Sequence, residues 1–171
     1  MMSAVRNKGS KAELLLRREL WRRGFRYRLH RGELVGKPDV VFSRIHVVIF
    51  VDSDFWHART LIDEGEAALR AIIRGKRQQW WVDKLKRNAA RDVEVTAALR
   101  SSGWTVMRLW ESQILGGLKA TVDQVERTLL KKFTASEGKR RDSRSARTHS
   151  KQRNVLSRAA RKRSRVRAIQ R

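Results

Sequence analysis

Residues 36–57 read GKPDVVFSRIHVVIFVDSDFWH, and this stretch decides the fold. Gly36 and Pro38 mark a turn. VVF, a short SR turn and IHVVIFVD then form two strands. The second is almost wholly apolar and is expected in the middle of a sheet. Into this apolar setting the chain places Asp39, Asp52, Asp54 and His57. A carboxylate in or beside buried strands is costly unless something compensates its charge. Neighbouring strands joined by the SR turn would bring Asp39 and Asp52 to one end of the sheet, where a divalent metal ion can compensate both.

On either side the pattern is regular. Residues 10–23, SKAELLLRRELWRR, carry a capping box at Ser10 and Glu13, so a helix begins near Lys11 and Gly24 stops it. FRYRLH alternates Phe25, Tyr27 and Leu29 with Arg26, Arg28 and His30, the pattern of a half-buried strand. Residues 59–78, with Gly65 and Gly75, are a helical or loop excursion. Residues 79–100 read as a helix with Trp81, Leu85, Asn88 and Asp92 on one side, and WTVMRLW from Trp104 to Trp110 is another strand. Leu118 to Phe133 is an amphipathic helix with Val122, Val125, Leu129 and Phe133 on one face. The order α, β, β, β, α, β, α predicts a mixed sheet flanked by helices, an α/β core.

Charge narrows the partners. Lys and Arg number 41 against 17 Asp and Glu, a net charge of +24, and the usual polyanion for such a chain is nucleic acid. Ribosomal binding or an anionic membrane surface are the competing explanations. Residues 135–171 alone hold 14 basic and 2 acidic residues, half the net charge, with no aromatic side chain. They read as a disordered, or helix-on-binding, polycationic tail beside a folded domain at 1–134. There is no cysteine, so disulfides and thiolate metal sites are excluded. No apolar run approaches the roughly 18 residues that span a bilayer, and the first residues lack a secretory h-region. The expectation is a cytoplasmic, nucleoid-associated protein with no membrane partner.

Acidic groups converging at a sheet end in basic surroundings suit a Mg²⁺ site for phosphodiester hydrolysis, because the hard cation takes oxygen ligands and offsets charge on the phosphate. His57 is close enough in sequence to move a proton, and Glu13 can assist from the first helix. Each feature has a plainer reading as well: a Pro-Asp turn, a solvated strand end, a structural histidine. Spacing by itself gives a basic α/β protein with nuclease among its readings.

The pieces VRNKGSKAELLLRRELWRRGFRYRLH, GKPDVVF, VVIFVDSDFWH, WWVDKLKRNAARD and LRSSGWTVMRLWES, in this order and spacing, resemble the very short patch repair (Vsr) endonucleases over roughly residues 3–115. The resemblance implies a restriction-endonuclease-like fold of the PD-(D/E)XK type. It also implies Mg²⁺-dependent nicking of duplex DNA beside a T:G mismatch. It assigns metal binding to Asp39 and to the Val51 carbonyl, proton transfer to His57, and an active-site role to Glu13. Phe55 and Trp56 become an aromatic wedge, whose plainer reading is core packing. Asn88 and Arg91 fall on a helix that supports the site or the DNA backbone, and Lys8 and Lys37 join the DNA contacts. A cytosine methyltransferase or mismatch-repair protein is an implied partner, and a monomer the expected state.

The departures are specific. Family members write HGCFWH where this chain has Asp52-Ser53-Asp54-Phe55-Trp56-His57. The histidine-and-cysteine cluster after FWH is ARTLID here, and Trp-Glu-Cys is Trp110-Glu111-Ser112. Those missing side chains are ligands of a structural zinc, so no zinc is expected, and packing by Trp56, Leu61 and residues 59–78 must hold the region. VDSDFWH also resembles the VDG-x-x-WH of Vsr-like homing endonucleases, in which Asp52 would give the metal a second carboxylate. The rival readings are a homing or defence endonuclease without mismatch specificity, and an inactive DNA-binding protein.

Overall fold

In a computed structural model, residues 9–29 and 31–138 are described. The sequence read as polycationic tail lies, from residue 139 on, outside the described residues. The described elements are α1 (Lys11–Arg22), β1 (Arg28–Leu29), β2 (Val40–Phe42), a 3₁₀ turn (Ser43–Ile45), β3 (Val47–Asp52), α2 (Arg59–Glu64), α3 (Glu66–Ile72), α4 (Gln78–Ser101) and β4 (Thr105–Trp110). Residues 111–129 are helical (α5) and complete a first compact unit that runs to Leu129. The described residues of the second unit, 130–138, are helical as well.

The four strands form one mixed sheet in the order β1-β2-β3-β4. β1, β2 and β3 pair antiparallel, with Val41 opposite Val48, and β3 runs parallel to β4 from Val47–Thr105 to Asp52–Trp110. The apolar run of β3 is central, as its sequence requires: Val47, Val48 and Ile49 are fully buried. Because side chains alternate across a strand, Val41, Val48, Phe50 and Val106 share one face, and there they pack with Leu99 and Val95 of α4. The opposite face, with Val40, Val47 and Ile49, is equally buried.

β1 is only two residues long, not the whole of FRYRLH. β2 ends at once in the 3₁₀ turn, and Pro38, which lacks an N–H, precedes it, so the ladder has few rungs to offer. Phe25 and Tyr27 instead set their rings edge-on to Phe42, at 6.4 and 6.0 Å. α5 begins at residue 111, seven residues before the expected start, running through Gly116 and Gly117. Ile114, Thr121, Val122 and Val125 on its inner side are buried, and that burial overrides the poor helix propensity of the two glycines. Arg23, at the end of α1, bonds both Asp123 and Glu126 of α5 at 2.6 Å.

One glycine is obligatory for the site. Gly36 has φ +75°, and a Cβ there would stand 2.3 Å from Val95 Cγ1. The loop that leads into Asp39 therefore lies directly on α4.

Candidate active site

Two groups of side chains meet where β3 ends. The first lies on the β2 side. The Asp39 N–H donates to the Ile49 carbonyl at 3.1 Å, and Asp39 Oδ2 accepts the Val51 N–H at 2.8 Å. In an extended strand the N–H and C=O of one residue lie along the same edge, so the Val51 carbonyl runs along the edge that faces Asp39. A carboxylate beside a backbone carbonyl is an oxygen donor set suited to a hard divalent cation, which completes its shell with water and phosphate oxygens. Among the described residues no group of three or more His, Cys, Asp or Glu converges as a ready-made cage.

The second group lies on the α4 side. Asp52 is 2% exposed, and both its oxygens are taken by one guanidinium: Arg108 Nε donates to Oδ2 at 2.6 Å and Nη2 to Oδ1 at 2.8 Å. The second metal carboxylate expected at Asp52 thus meets a different geometry. A bidentate partner satisfies it, because a charge this buried needs compensation wherever the fold can supply it. Arg108 also lies 3.1 Å from Asp92 Oδ1, and Asp92 Oδ2 accepts the His57 Nδ1–H at 2.6 Å. With Nδ1 held, Nε2 is the ring nitrogen left to exchange a proton. Burial pulls the His57 pKa down, but the hydrogen bond to Asp92 and the charges of Asp52 and Asp92 outweigh it, and the net shift is upward from 6.5. Burial pushes Asp92 up, and its bond to His57 and the charge of Arg108 more than reverse that, leaving it below 3.8. His57 and Asp92, with Ala89, Val93 and Trp110, line a hollow of about 390 Å³.

The turn that carries His57 is well fixed. The His57 N–H donates to the Ser53 carbonyl and Ala58 N–H to the Phe55 carbonyl, both at 3.1 Å, and Ala58 is left-handed at φ 56°. Asn88 spends its amide on the Trp56 carbonyl at 2.9 Å, so it supports the turn from α4. Phe55 is 43% exposed, and its ring meets Trp56 at 5.2 Å and Trp81 at 5.7 Å, with Lys84 Nζ 5.6 Å above Trp56. Leu61 packs on the cluster of Ala58, Leu69, Ile73, Val82 and Leu85, so residues 59–78 do close over the region by packing.

Glu13 is 3% exposed; its N–H bonds the Ser10 hydroxyl at 3.2 Å, and its Oε2 accepts the Gly9 N–H at 2.7 Å, one residue before the usual capping-box partner. Arg17 donates to its other oxygen at 3.0 Å. Lys37, at φ 51°, and Arg91 are exposed, while Lys8 lies outside the described residues. Sequence reading missed the roles of Asp92 and Arg108. The signal was present: an aspartate on the inner side of an amphipathic helix, and an arginine inside the apolar strand WTVMRLW, each need a buried partner.

The family model for the DNA mismatch endonuclease Vsr matches residues 1–62. The chain is 34% identical over 141 residues to the type II nicking enzyme V.NmeDIP of Neisseria meningitidis serogroup C, covering 82% of this chain and 91% of that protein. It is 37% identical over 126 residues to the type II nicking enzyme V.NaeI of Lentzea aerocolonigenes, 71% of each chain. To the DNA mismatch endonuclease Vsr of Escherichia coli K12 it is 27% identical over 137 residues, 80% of this chain and 83% of that one.

Proposed function

The chain belongs to the Vsr family of DNA endonucleases, whose fold is restriction-endonuclease-like, and from that membership we propose that it nicks duplex DNA beside a T:G mismatch using Mg²⁺. It is a DNA endonuclease acting on phosphodiester bonds, and endonucleases of this family use a divalent metal ion. The observation that carries the catalytic reading is the 2.6 Å bond between His57 Nδ1, in the turn after β3, and Asp92 of α4, 35 residues on.

In this reading Asp39 and the Val51 carbonyl hold the cation, which supplies neutralisation of the charge that develops on the phosphate. The Val51 N–H fixes the orientation of the Asp39 carboxylate. His57 takes a proton from the attacking water at Nε2, and Asp92 stabilises the resulting imidazolium. Arg108, clamped by Asp52, holds Asp92 in place. Glu13 assists from α1. Phe55 and Trp56 wedge into the base stack, which is cheapest to open at a mismatched step. Lys37, Arg91 and the polycationic sequence after residue 134 contact phosphates without reading sequence.

A second reading, an endonuclease without mismatch specificity, is favoured by Asp52 standing where mismatch enzymes of this family have histidine. The test is nicking of labelled matched and T:G duplexes in Mg²⁺ or EDTA, by the intact protein and by Asp39→Ala. Expected is Mg²⁺-dependent nicking that prefers the mismatch and disappears in Asp39→Ala while DNA binding remains. Equal cutting of both duplexes would remove the mismatch role. Binding with no cutting of either would leave a DNA-binding protein on a nuclease fold.

A further inference from the structure

Asp54 stands at the base of the turn that carries Phe55, Trp56 and His57, and its carboxylate reaches 58 residues along the chain. Its Oδ2 accepts the Ser112 N–H at 3.0 Å and its Oδ1 the Ser112 hydroxyl at 2.6 Å. Arg59, at the other end of the same turn, donates through Nη1 to Asp54 Oδ1 at 2.7 Å and also to Ser112 Oγ. The Arg59 N–H donates to the Asp54 carbonyl at 2.9 Å, so backbone and side chain close the turn together. The Arg59 guanidinium lies 5.6 Å from the centre of the Trp110 ring, the last residue of β4.

Ser112 lies in the first turn of α5, where backbone N–H groups lack partners within the helix and the dipole favours an anion. Asp54 answers both demands from outside the helix. Its carboxyl is raised by burial and lowered more by the Ser112 hydroxyl, Arg59 and the Ser112 N–H, ending below 3.8. These are the places where the family resemblance implies zinc ligands. The donor set does not fit that ion: a hydroxyl replaces a thiolate, and a fixed guanidinium cation stands inside the cluster.

We propose that Asp54 is the positioning residue of the catalytic turn, fastening it through Arg59 and Ser112 to the junction of β4 and α5, where an ionic clip takes the place of a structural zinc. The turn is closed by this clip and carries His57 to Asp92 of α4, so loosening the clip displaces His57 from Asp92, and Phe55 and Trp56 with it, while Lys37 and Arg91 on other elements keep their places. A displacement near 1 Å at reacting groups is enough to cost about a hundredfold in rate. The inference rests on the reading of His57 as catalytic.

The test measures kcat and KM for nicking in Mg²⁺, with thermal melts by circular dichroism, for Asp54→Asn, Arg59→Met, Ser112→Ala and Ser112→Thr. Asp54→Asn is expected to lower kcat about 10- to 100-fold through the displaced His57, with a smaller change in KM from the displaced Phe55 and Trp56. Ser112→Ala is expected to lose rate, while Ser112→Thr, which keeps the hydroxyl, retains it. The Asp54→Asn/Arg59→Met double variant should be no slower than the worse single, because both break one unit. A zinc-selective chelator should leave the intact protein's rate unchanged. Folded Asp54→Asn with the intact protein's kcat, or melting temperatures that fall while kcat stays, would overturn the proposal. So would chelator inhibition reversed by Zn²⁺. His57→Ala run in parallel separates the two readings: full activity there would sink the catalytic assignment itself.

Discussion

Asp52 and Asp54 are two residues apart, both answer an arginine, and the chain uses them in opposite ways. Asp52 points into the molecule, where its side chain is 3% exposed and Arg108 closes on it with two bonds from a strand 56 residues away. Asp54 is 34% exposed, pairs with Arg59 five residues on, and also accepts from a helix N-terminus. The buried pair is the costly kind: two charges leave water, and the arrangement is favourable only while both partners are present. The half-exposed pair is weakly bound as an ion pair and draws its strength from geometry, since one carboxylate ties a turn, a strand end and a helix start. Charge in this protein therefore serves two ends. In the proposed function, buried charge tunes His57 and the half-exposed charge fixes where it stands.

The largest break in that contrast comes from Arg108→Ala. It leaves Asp52 buried beside Asp92 without its bidentate guanidinium partner, and a loss of about 3–5 kcal/mol of stability is expected, read as a lower midpoint in urea unfolding. Arg108→Lys should recover only part of it, because an ammonium cannot make the bidentate contact. A melt unchanged by Arg108→Ala would mean that the pair is not what compensates Asp52.

Asp92→Asn sharpens the same side of the comparison. The His57 pKa lies above 6.5 because Asp92 and Asp52 outweigh burial, so a catalytic base there becomes neutral only as pH rises through that raised value. Nicking should climb with pH in that range in the intact protein. In Asp92→Asn the rise should move to lower pH, and kcat should fall about a hundredfold or more, the scale of a lost general base. Stability follows the opposite limb. The interaction favours protonated His57 in the folded state, so its contribution is complete below 6.5 and fades as pH rises through the folded pKa. In Asp92→Asn that decline should shrink to the part that the charge of Asp52 still supplies.

The smallest expected effect separates the two pairs by salt. Screening shortens from about 10 Å at 0.1 M to about 3 Å at 1 M, which reaches exposed charges and hardly touches buried ones. The stability lost in Arg108→Ala should thus be similar at both concentrations, whereas any stability lost in Asp54→Asn should shrink at 1 M. Equal salt responses would erase the distinction between the pairs.

Much of the fold was legible. β3 is central because VVIFV is apolar at five successive positions, and α1 starts at Lys11 because Ser10 caps it. Asp39 beside Val51, and His57 in the turn after β3, also follow from spacing and resemblance. The length of β1 was not legible, since alternation in FRYRLH reports burial and not how many rungs its partner strand offers. Nor was the use of Asp52, because a carboxylate at a strand end suits a metal or an arginine equally until its neighbours are known.

What the sequence determined by itself is local or periodic: strand and helix identity, the caps, the charge balance and the family blocks. Only the tertiary structure joined His57 to Asp92, 35 residues on, Asp52 to Arg108, 56 residues on, and Asp54 to Ser112, 58 residues on. The physical reason is that such pairings depend on the parallel register of β3 with β4 and the docking of α4 across both. Hydrophobic burial sets that geometry collectively, and no single stretch of chain encodes it.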